Sequence, residues 1–357
     1  MQRVKVAVTG LGVSRTYLPN YASAPECELR MVHDVNEDRA RAVAEAFHVP
    51  RWTTSYEDVL ASDCDMVDVS TPNQYHAEQA IAALEAGKHV LCQKPMARDV
   101  AECRAMAEAS ERAGRTLGVM MTWLNNPFAD DLRAAIAGGC IGEVAMVRVR
   151  NAHRAPLRRG VANWRKDRAN VGGGCFMQLV VHPMRLALSL TGRSVTQVQA
   201  CYDNLHCRHS VGGEDVAAAV CRLDNAALMV AEASYCSTGR SVEIYGTEGQ
   251  IVMQDDRIRL EFAAAFQGRR LHYVLPADGP GPFAAVDQMC IKVDDVRGDR
   301  NNAEENQNRR FIQALIAGRR APVTAADGLH DVAVVDAANR AAESGRPVTL
   351  HEAMTCR

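Results

Sequence analysis

The run Val4–Thr9 (VKVAVT) is apolar without alternation and stops at Gly10-Leu11-Gly12. A strand buried on both faces reads this way where it meets a tight turn. A helix is expected next, then a strand from Glu28 to Asp34 that ends on an acid. Alanines and valines at helical spacing predict a helix over Asn36–Phe47, capped by Asn36. A short strand at Arg51–Thr54, the helix YEDVLAS, a buried strand at Asp65–Pro72 and a helix over Asn73–Gly87 follow. The strand Lys88–Cys92 then runs into Gln93-Lys94-Pro95, before a helix at Asp99–Ala113 and a strand at Thr116–Met121. Such alternation predicts an α/β domain over residues 1–122, a doubly wound parallel sheet with helices on both faces. Ligands of such sheets bind beyond the carboxyl ends of the strands, where Gly10, Asp34, Thr71 and Lys94 all fall.

Beyond residue 122 the period changes. One helix is expected in PFADDLRAAIAGGCIG, then a long strand at Glu143–Arg154. Further strands are expected at Val195–Tyr202, Val216–Leu223, Ala226–Cys236, Ser241–Tyr245, Gln250–Gln254, Arg257–Phe262 and Leu271–Leu275. Short turns between them predict an α+β domain over residues 123–357 with an open, mostly antiparallel sheet for substrate binding and oligomerisation. The polar stretch Pro276–Asn302 reads as a loop or lid. Closing helices at Glu304–Ala317 and Thr324–Ser344 are able to pack back on the first domain.

Composition narrows the function. The 357 residues are 47% apolar and 24% charged, with a net charge of −2, which argues against a nucleic-acid or anionic-membrane binder. No apolar run reaches membrane-spanning length, and the chain enters a strand at once without a signal peptide, so a cytoplasmic protein is expected. The 12 cysteines form no C-x-x-C pair and read as buried, reduced thiols. Cys201, His206, Cys207 and His209 cluster without a zinc spacing, and no metal is expected.

Gly10 and Gly12, with Val13 and Ser14 in the same turn, suit close approach to a pyrophosphate, and Asp34 suits a ribose 2′-hydroxyl. The cofactor expected is NAD, with NADP kept as an alternative by Arg39 and Arg41; Arg15 takes the place of a third glycine. Alone, Lys94 reads as a solvated strand-end cation and His182 as a core histidine.

The segments STPNQYHAEQAIAALEAGKHVLCQKP and NWRKDRANVGGGCFMQLVVH, with GGEDVAAAVCRL and EIYGTEGQIVM, resemble the Gfo/Idh/MocA family of sugar and cyclitol dehydrogenases across essentially the whole chain. The resemblance implies a Rossmann domain and an enzyme that moves hydride between a hydroxyl carbon of a sugar, sugar derivative or cyclitol and a nicotinamide. It implies Lys94 and His182 as catalytic residues flanking one nicotinamide ring. Thr71, Pro72, Asn73, His76, Gln93 and Lys94 would line the cofactor, and Trp123, Trp164, Arg165 and Gln178 would bind substrate beside Lys94 and His182, with surface packing an equal alternative for Trp164 and Arg165. Gln93 stands where the family has glutamate and Gln178 where it has aspartate. Losing two carboxylates lowers the pKa of nearby cations, so His182 is expected to be the base and Lys94 to polarise the hydroxyl, with Lys94 as base the alternative. Gly172-Gly173-Gly174 is expected to admit the nicotinamide or the substrate. A cis Lys94–Pro95 bond would aim the lysine. A homodimer or homotetramer is expected, because an open sheet needs a cover. Two other readings stay open: an enzyme using bound NAD transiently, in glycoside cleavage or epimerisation, and a non-catalytic dinucleotide-binding regulator.

Overall fold

The computed structural model describes residues 3–125, 129–207, 211–254, 257–263 and 306–355. The strand expected at Leu271–Leu275, the loop Pro276–Asn302 and His209 lie outside the described residues.

The described chain divides into two compact units, one of residues 3–121 and 306–330 and the other of 122–263 and 331–355. The first is built on six parallel strands: β1 (Val4–Thr9), β2 (Cys27–His33), β3 (Arg51–Thr53), β4 (Met66–Val69), β5 (His89–Gln93) and β6 (Leu117–Met120), in the order β3-β2-β1-β4-β5-β6. The winding reverses between β1 and β4, and the two are in register from Val6↔Met66 to Thr9↔Val69. Every residue of β4 and of β6 is buried, as unalternating apolar runs require. Asn36 caps the helix Glu37–Ala46 by accepting from the Arg39 N–H at 2.8 Å, and Asp99 caps Val100–Ala113 through Glu102 N–H at 2.8 Å.

The segment after the glycine turn contains the expected helix, set back from the glycines. It is a 3-10 turn at Ser14–Thr16 and a six-residue helix at Leu18–Ser23. Pro19 has no N–H to give to the Arg15 carbonyl, so no helix can run through from the glycines. The helix Gln307–Ile316 completes this unit: Phe311 and Ile312 join the core of Val6, Val8, Leu18, Tyr21, Met66 and Leu91. Arg309 pairs with Glu26 at 2.5 Å, and the Gln307 amide donates to the Val119 carbonyl at 2.7 Å.

The second unit carries eight strands: β7 (Val144–Ala152), β8 (Val195–Asp203), β9 (Val216–Leu223), β10 (Leu228–Ser234), β11 (Gly239–Gly246), β12 (Gln250–Gln254), β13 (Arg257–Glu261) and β14 (Val348–Thr349). Their order is β13-β12-β11-β7-β10-β9-β8-β14, antiparallel throughout except for the parallel pair β7–β10. β14 and the helix Leu350–Thr355 are too short for a periodic signal and were not expected. Burial alternates along β9, so the sheet has a covered face and an outer one. The outer face was expected to need a cover. It carries a lattice of ion pairs, Arg148–Glu232 at 3.9 Å, Arg148–Glu243 at 3.6 Å and Arg150–Glu232 at 3.8 Å, with Val220 and Leu228 exposed among them.

Candidate functional site

In the first unit the candidate residues follow successive strands of the sheet: Asp34 after β2, Gly10 after β1, Thr71 just beyond β4 and Lys94 after β5. Gly10 has φ +82°, and a Cβ there would lie 2.5 Å from the Thr71 nitrogen. Its smallness lets the loop after β4 close on the turn after β1. Around Gly12 the space a Cβ would enter is open, with no heavy atom within 4 Å, and Val13 beside it is 47% exposed. Ser14 is buried and donates to the Gly10 carbonyl at 2.9 Å, so it braces the turn rather than facing a ligand. Asp34 is buried too: its carboxylate accepts from Leu11 N–H at 2.8 Å and Asn36 N–H at 2.9 Å, and pairs with Arg39 at 3.1 Å. Arg41 pairs with Asp38 instead. Open space at Gly12, backbone brought close by Gly10 and an acid at the end of β2 fit a dinucleotide with a free ribose 2′-hydroxyl.

The loops after β4 and β5 are tied together. His76 is fully buried, and its two ring nitrogens lie 2.8 Å from the Thr71 carbonyl and 2.9 Å from the Pro95 carbonyl. Burial lowers its pKa, and the carbonyls work against that shift. The ring spends both nitrogens on backbone, so any service to the cofactor is indirect. Thr71 donates to Gln79 at 2.7 Å, and Pro72 and buried Asn73 lead into the helix His76–Glu85. The Lys94–Pro95 peptide is cis, and Gln93 accepts from the Lys94 N–H at 2.9 Å.

In the second unit His182 sits near the start of the helix Val181–Thr191, behind a π-helical turn at Phe176–Val180. From Gly173 to Leu188 every residue is buried except His182, which is half-buried. Trp123 stacks on its ring, with centroids 6.0 Å apart and planes 21° from parallel. Gln178 is buried on the π turn, where its amide donates to the Val171 carbonyl at 3.4 Å. Trp164 lies under the Arg165 guanidinium at 5.0 Å, and Arg165 is exposed.

One member of the glycine triplet is closed off by the chain itself. A Cβ on Gly174 would meet the Glu214 carbonyl oxygen at 2.1 Å, and one on Gly213 would meet the Gly174 nitrogen at 2.4 Å. At Gly174 the close partner is therefore the chain's own backbone, not a nicotinamide or a substrate. The Glu214 carboxylate accepts from Gly174 N–H at 3.0 Å and Phe176 N–H at 2.8 Å, capping the turn that leads to His182. Burial pushes the Glu214 carboxyl up, and the N–H groups oppose the shift. Sequence reading passed over Glu214 because its partners lie 38 and 40 residues away.

The expected cluster around Cys201 also changes. Cys207, Asp215 and Cys236 hold their ligand atoms within 4.8 Å of one another. Burial opposes charge on Asp215, yet N–H groups of Leu205 (2.9 Å), His206 (2.6 Å) and Cys207 (2.6 Å) outweigh it and hold the carboxyl below its usual range. The carboxylate anchors the loop Asn204–Cys207 to the strap that carries Glu214.

Comparison with known proteins decides the family. Residues 4–121 match the model of an oxidoreductase family with an NAD-binding Rossmann fold, and residues 130–252 match a GFO/IDH/MocA C-terminal domain. The chain belongs to the Gfo/Idh/MocA family. Its first unit is therefore an NAD-binding Rossmann domain, and the protein is an oxidoreductase. A D-apiose dehydrogenase of Paraburkholderia graminis is 27% identical, covering 98% of this chain and 90% of that protein. A levoglucosan dehydrogenase of Pseudarthrobacter phenanthrenivorans is 27% identical over 80% of this chain and 85% of that protein. The structure of a levoglucosan dehydrogenase in complex with NADH and levoglucosan superposes with a TM-score of 0.83 at 24% identity, covering 98% of this chain and 100% of that one, a likeness of fold.

Proposed function

We propose that this member of the Gfo/Idh/MocA family transfers hydride between NAD and one hydroxyl carbon of a sugar, sugar derivative or cyclitol. Bound NAD supplies the hydride acceptor. Lys94 donates a hydrogen bond to the reacting hydroxyl and polarises it, and the His182 imidazole takes its proton. Trp123 fixes the plane of that imidazole, Glu214 fixes the turn beneath it, and Gln178, Trp164 and Arg165 bind the remaining hydroxyls.

The observation that carries this reading is the exposure of His182. A core histidine would be closed off with its neighbours; this one alone reaches solvent from a buried stretch of sixteen residues, 173–188. The relatives named for D-apiose and levoglucosan favour a carbohydrate substrate.

Two coarser readings accompany it. The protein works as a homodimer or homotetramer in which a second copy covers exposed Val220 and Leu228 and exchanges ion pairs with the Arg148–Glu232 lattice. It works in the reducing cytoplasm, since no disulfide joins the described cysteines and no described helix is long and apolar enough to cross a membrane.

A panel of sugars and cyclitols incubated with the protein and NAD, read by NADH absorbance, tests the activity. Stoichiometric NADH from at least one polyol supports a dehydrogenase. Substrate turnover without NADH release would establish a transient cofactor role instead, and dinucleotide binding without turnover a regulator.

A further inference from the structure

We propose that Asp68 is a positioning residue for Lys94, acting through Tyr17 and Gln93. The inference rests on the role given to Lys94 above and concerns how that lysine is held.

Asp68 lies in the middle of β4, paired with Val8 on one side and Leu91 on the other, and is 1% exposed. A carboxylate in a central strand is costly to bury unless donors surround it. Here Ser70 Oγ donates at 2.5 Å, Tyr21 OH at 2.6 Å, and Tyr17 OH and the Asn308 amide at 3.5 Å. The groups facing it are Tyr17 and Tyr21 from the segment after the glycine turn, Ser70 beyond the end of its own strand, Cys92 of β5 and Asn308 of the helix Gln307–Ile316. None of these is a cation. The segment after the glycine turn, the end of β4 and the helix Gln307–Ile316 have thus converged hydroxyls and an amide on one buried acid.

The network continues to the site. The Tyr17 hydroxyl also bonds Ser70, and the Gln93 side chain lies close enough to lower the pKa of the phenol. Gln93 Oε1 accepts from the Lys94 N–H, which leaves its NH2 end for the phenol. The result is a line of neighbouring groups from Asp68 through Tyr17 and Gln93 to the backbone of Lys94. A phenol that gives its proton towards Asp68 and Ser70 needs a donor on its other side. An amide at position 93 provides one, whereas a carboxylate would not and would place a second anion on the same phenol. This accounts for glutamine where the family resemblance has glutamate: the negative charge of the site resides one strand over, at Asp68. Burial pushes the Asp68 carboxyl up to about 6, so its charge is set within the ordinary working range of pH.

The test is a charge swap read in two ways, with Asp68→Asn, Gln93→Glu, the double variant and Tyr17→Phe. The chain has five lysines, so reductive dimethylation gives few resonances, and Lys94→Arg assigns one of them. In cofactor-free protein the Lys94 resonance should titrate at lower pH in Asp68→Asn, and move in the same direction in Tyr17→Phe, which keeps Asp68 and its Tyr21 bond. In turnover each of Asp68→Asn and Gln93→Glu should lower kcat ~10-fold or more with little change in the KM for NAD, and the double variant should recover to within ~3-fold of wild type. A Lys94 titration unmoved in both Asp68→Asn and Tyr17→Phe, or losses that simply add in the double variant, would overturn the proposal. Should Lys94→Ala turn over normally, the role of the lysine is wrong, while the titration in cofactor-free protein still decides the link to Asp68.

Discussion

Gly174 and Glu214 touch backbone to backbone: a Cβ at position 174 would stand 2.1 Å from the Glu214 carbonyl oxygen and 2.3 Å from its nitrogen. No real Cβ approaches backbone so closely, and neither partner is a flexible side-chain end. The strap Gly212–Asp215 and the turn before His182 are therefore one packed object. Gly174→Ala should force them apart and destabilise the protein by about 1–3 kcal/mol, the range of overpacking, and towards its upper end because both partners are backbone. Chemical denaturation read by circular dichroism checks this, and Gly192→Ala, at φ +67° with nothing within 4 Å, shows by contrast what backbone strain without a clash costs.

Glu214→Gln keeps the shape but gives up the charge on which two N–H groups converge. The cap should weaken by about 1–2 kcal/mol, with kcat falling and the affinity for NAD unchanged, since the cofactor residues lie on other elements. Thermal melts together with NADH titration by fluorescence separate the two effects.

Much of the rim of the parallel sheet was legible because strand ends announce themselves: buried runs stop at Gly10, Asp34, Thr71 and Lys94, and each lies just beyond its strand. What stayed hidden has non-local causes. Glu214 caps a turn 38 residues earlier, and no window of sequence contains both ends. Asp68 reads as a polar interruption of an apolar run until Tyr17 and Tyr21, 51 and 47 residues before it, fold onto it. The glycine triplet invited a ligand because a sequence shows that space is needed but not what fills it.

Asp34→Ala should weaken NADH binding ~10- to 100-fold and narrow the preference over NADPH, because the acid suited to a ribose hydroxyl is gone while Arg39, 3.1 Å from its carboxylate, is released. Fluorescence titration with the two dinucleotides measures both numbers. Equal losses for NADH and NADPH would show that Asp34 only braces the turn through Leu11.

Asp68 also gives stability a pH signature. Its carboxyl lies at about 6 in the folded protein against 3.8 ordinarily, so the folded state holds a proton that the unfolded chain has released. Stability from this group is greatest below about pH 4 and declines as pH rises to about 6, by on the order of 2–3 kcal/mol. Melting temperatures between pH 4.5 and 7.5 should fall less in Asp68→Asn than in wild type across that window, and parallel curves would assign the titration elsewhere.

The pH dependence of kcat in wild type and in His182→Gln tests the central claim most directly, with the substrate that the panel identifies. The wild-type rate should rise along an acid limb as the imidazole loses its proton, and the variant should lose that limb and ~100-fold or more of kcat while still binding NAD. A variant that keeps both the wild-type profile and a near-normal rate would contradict the account and leave His182 a structural residue.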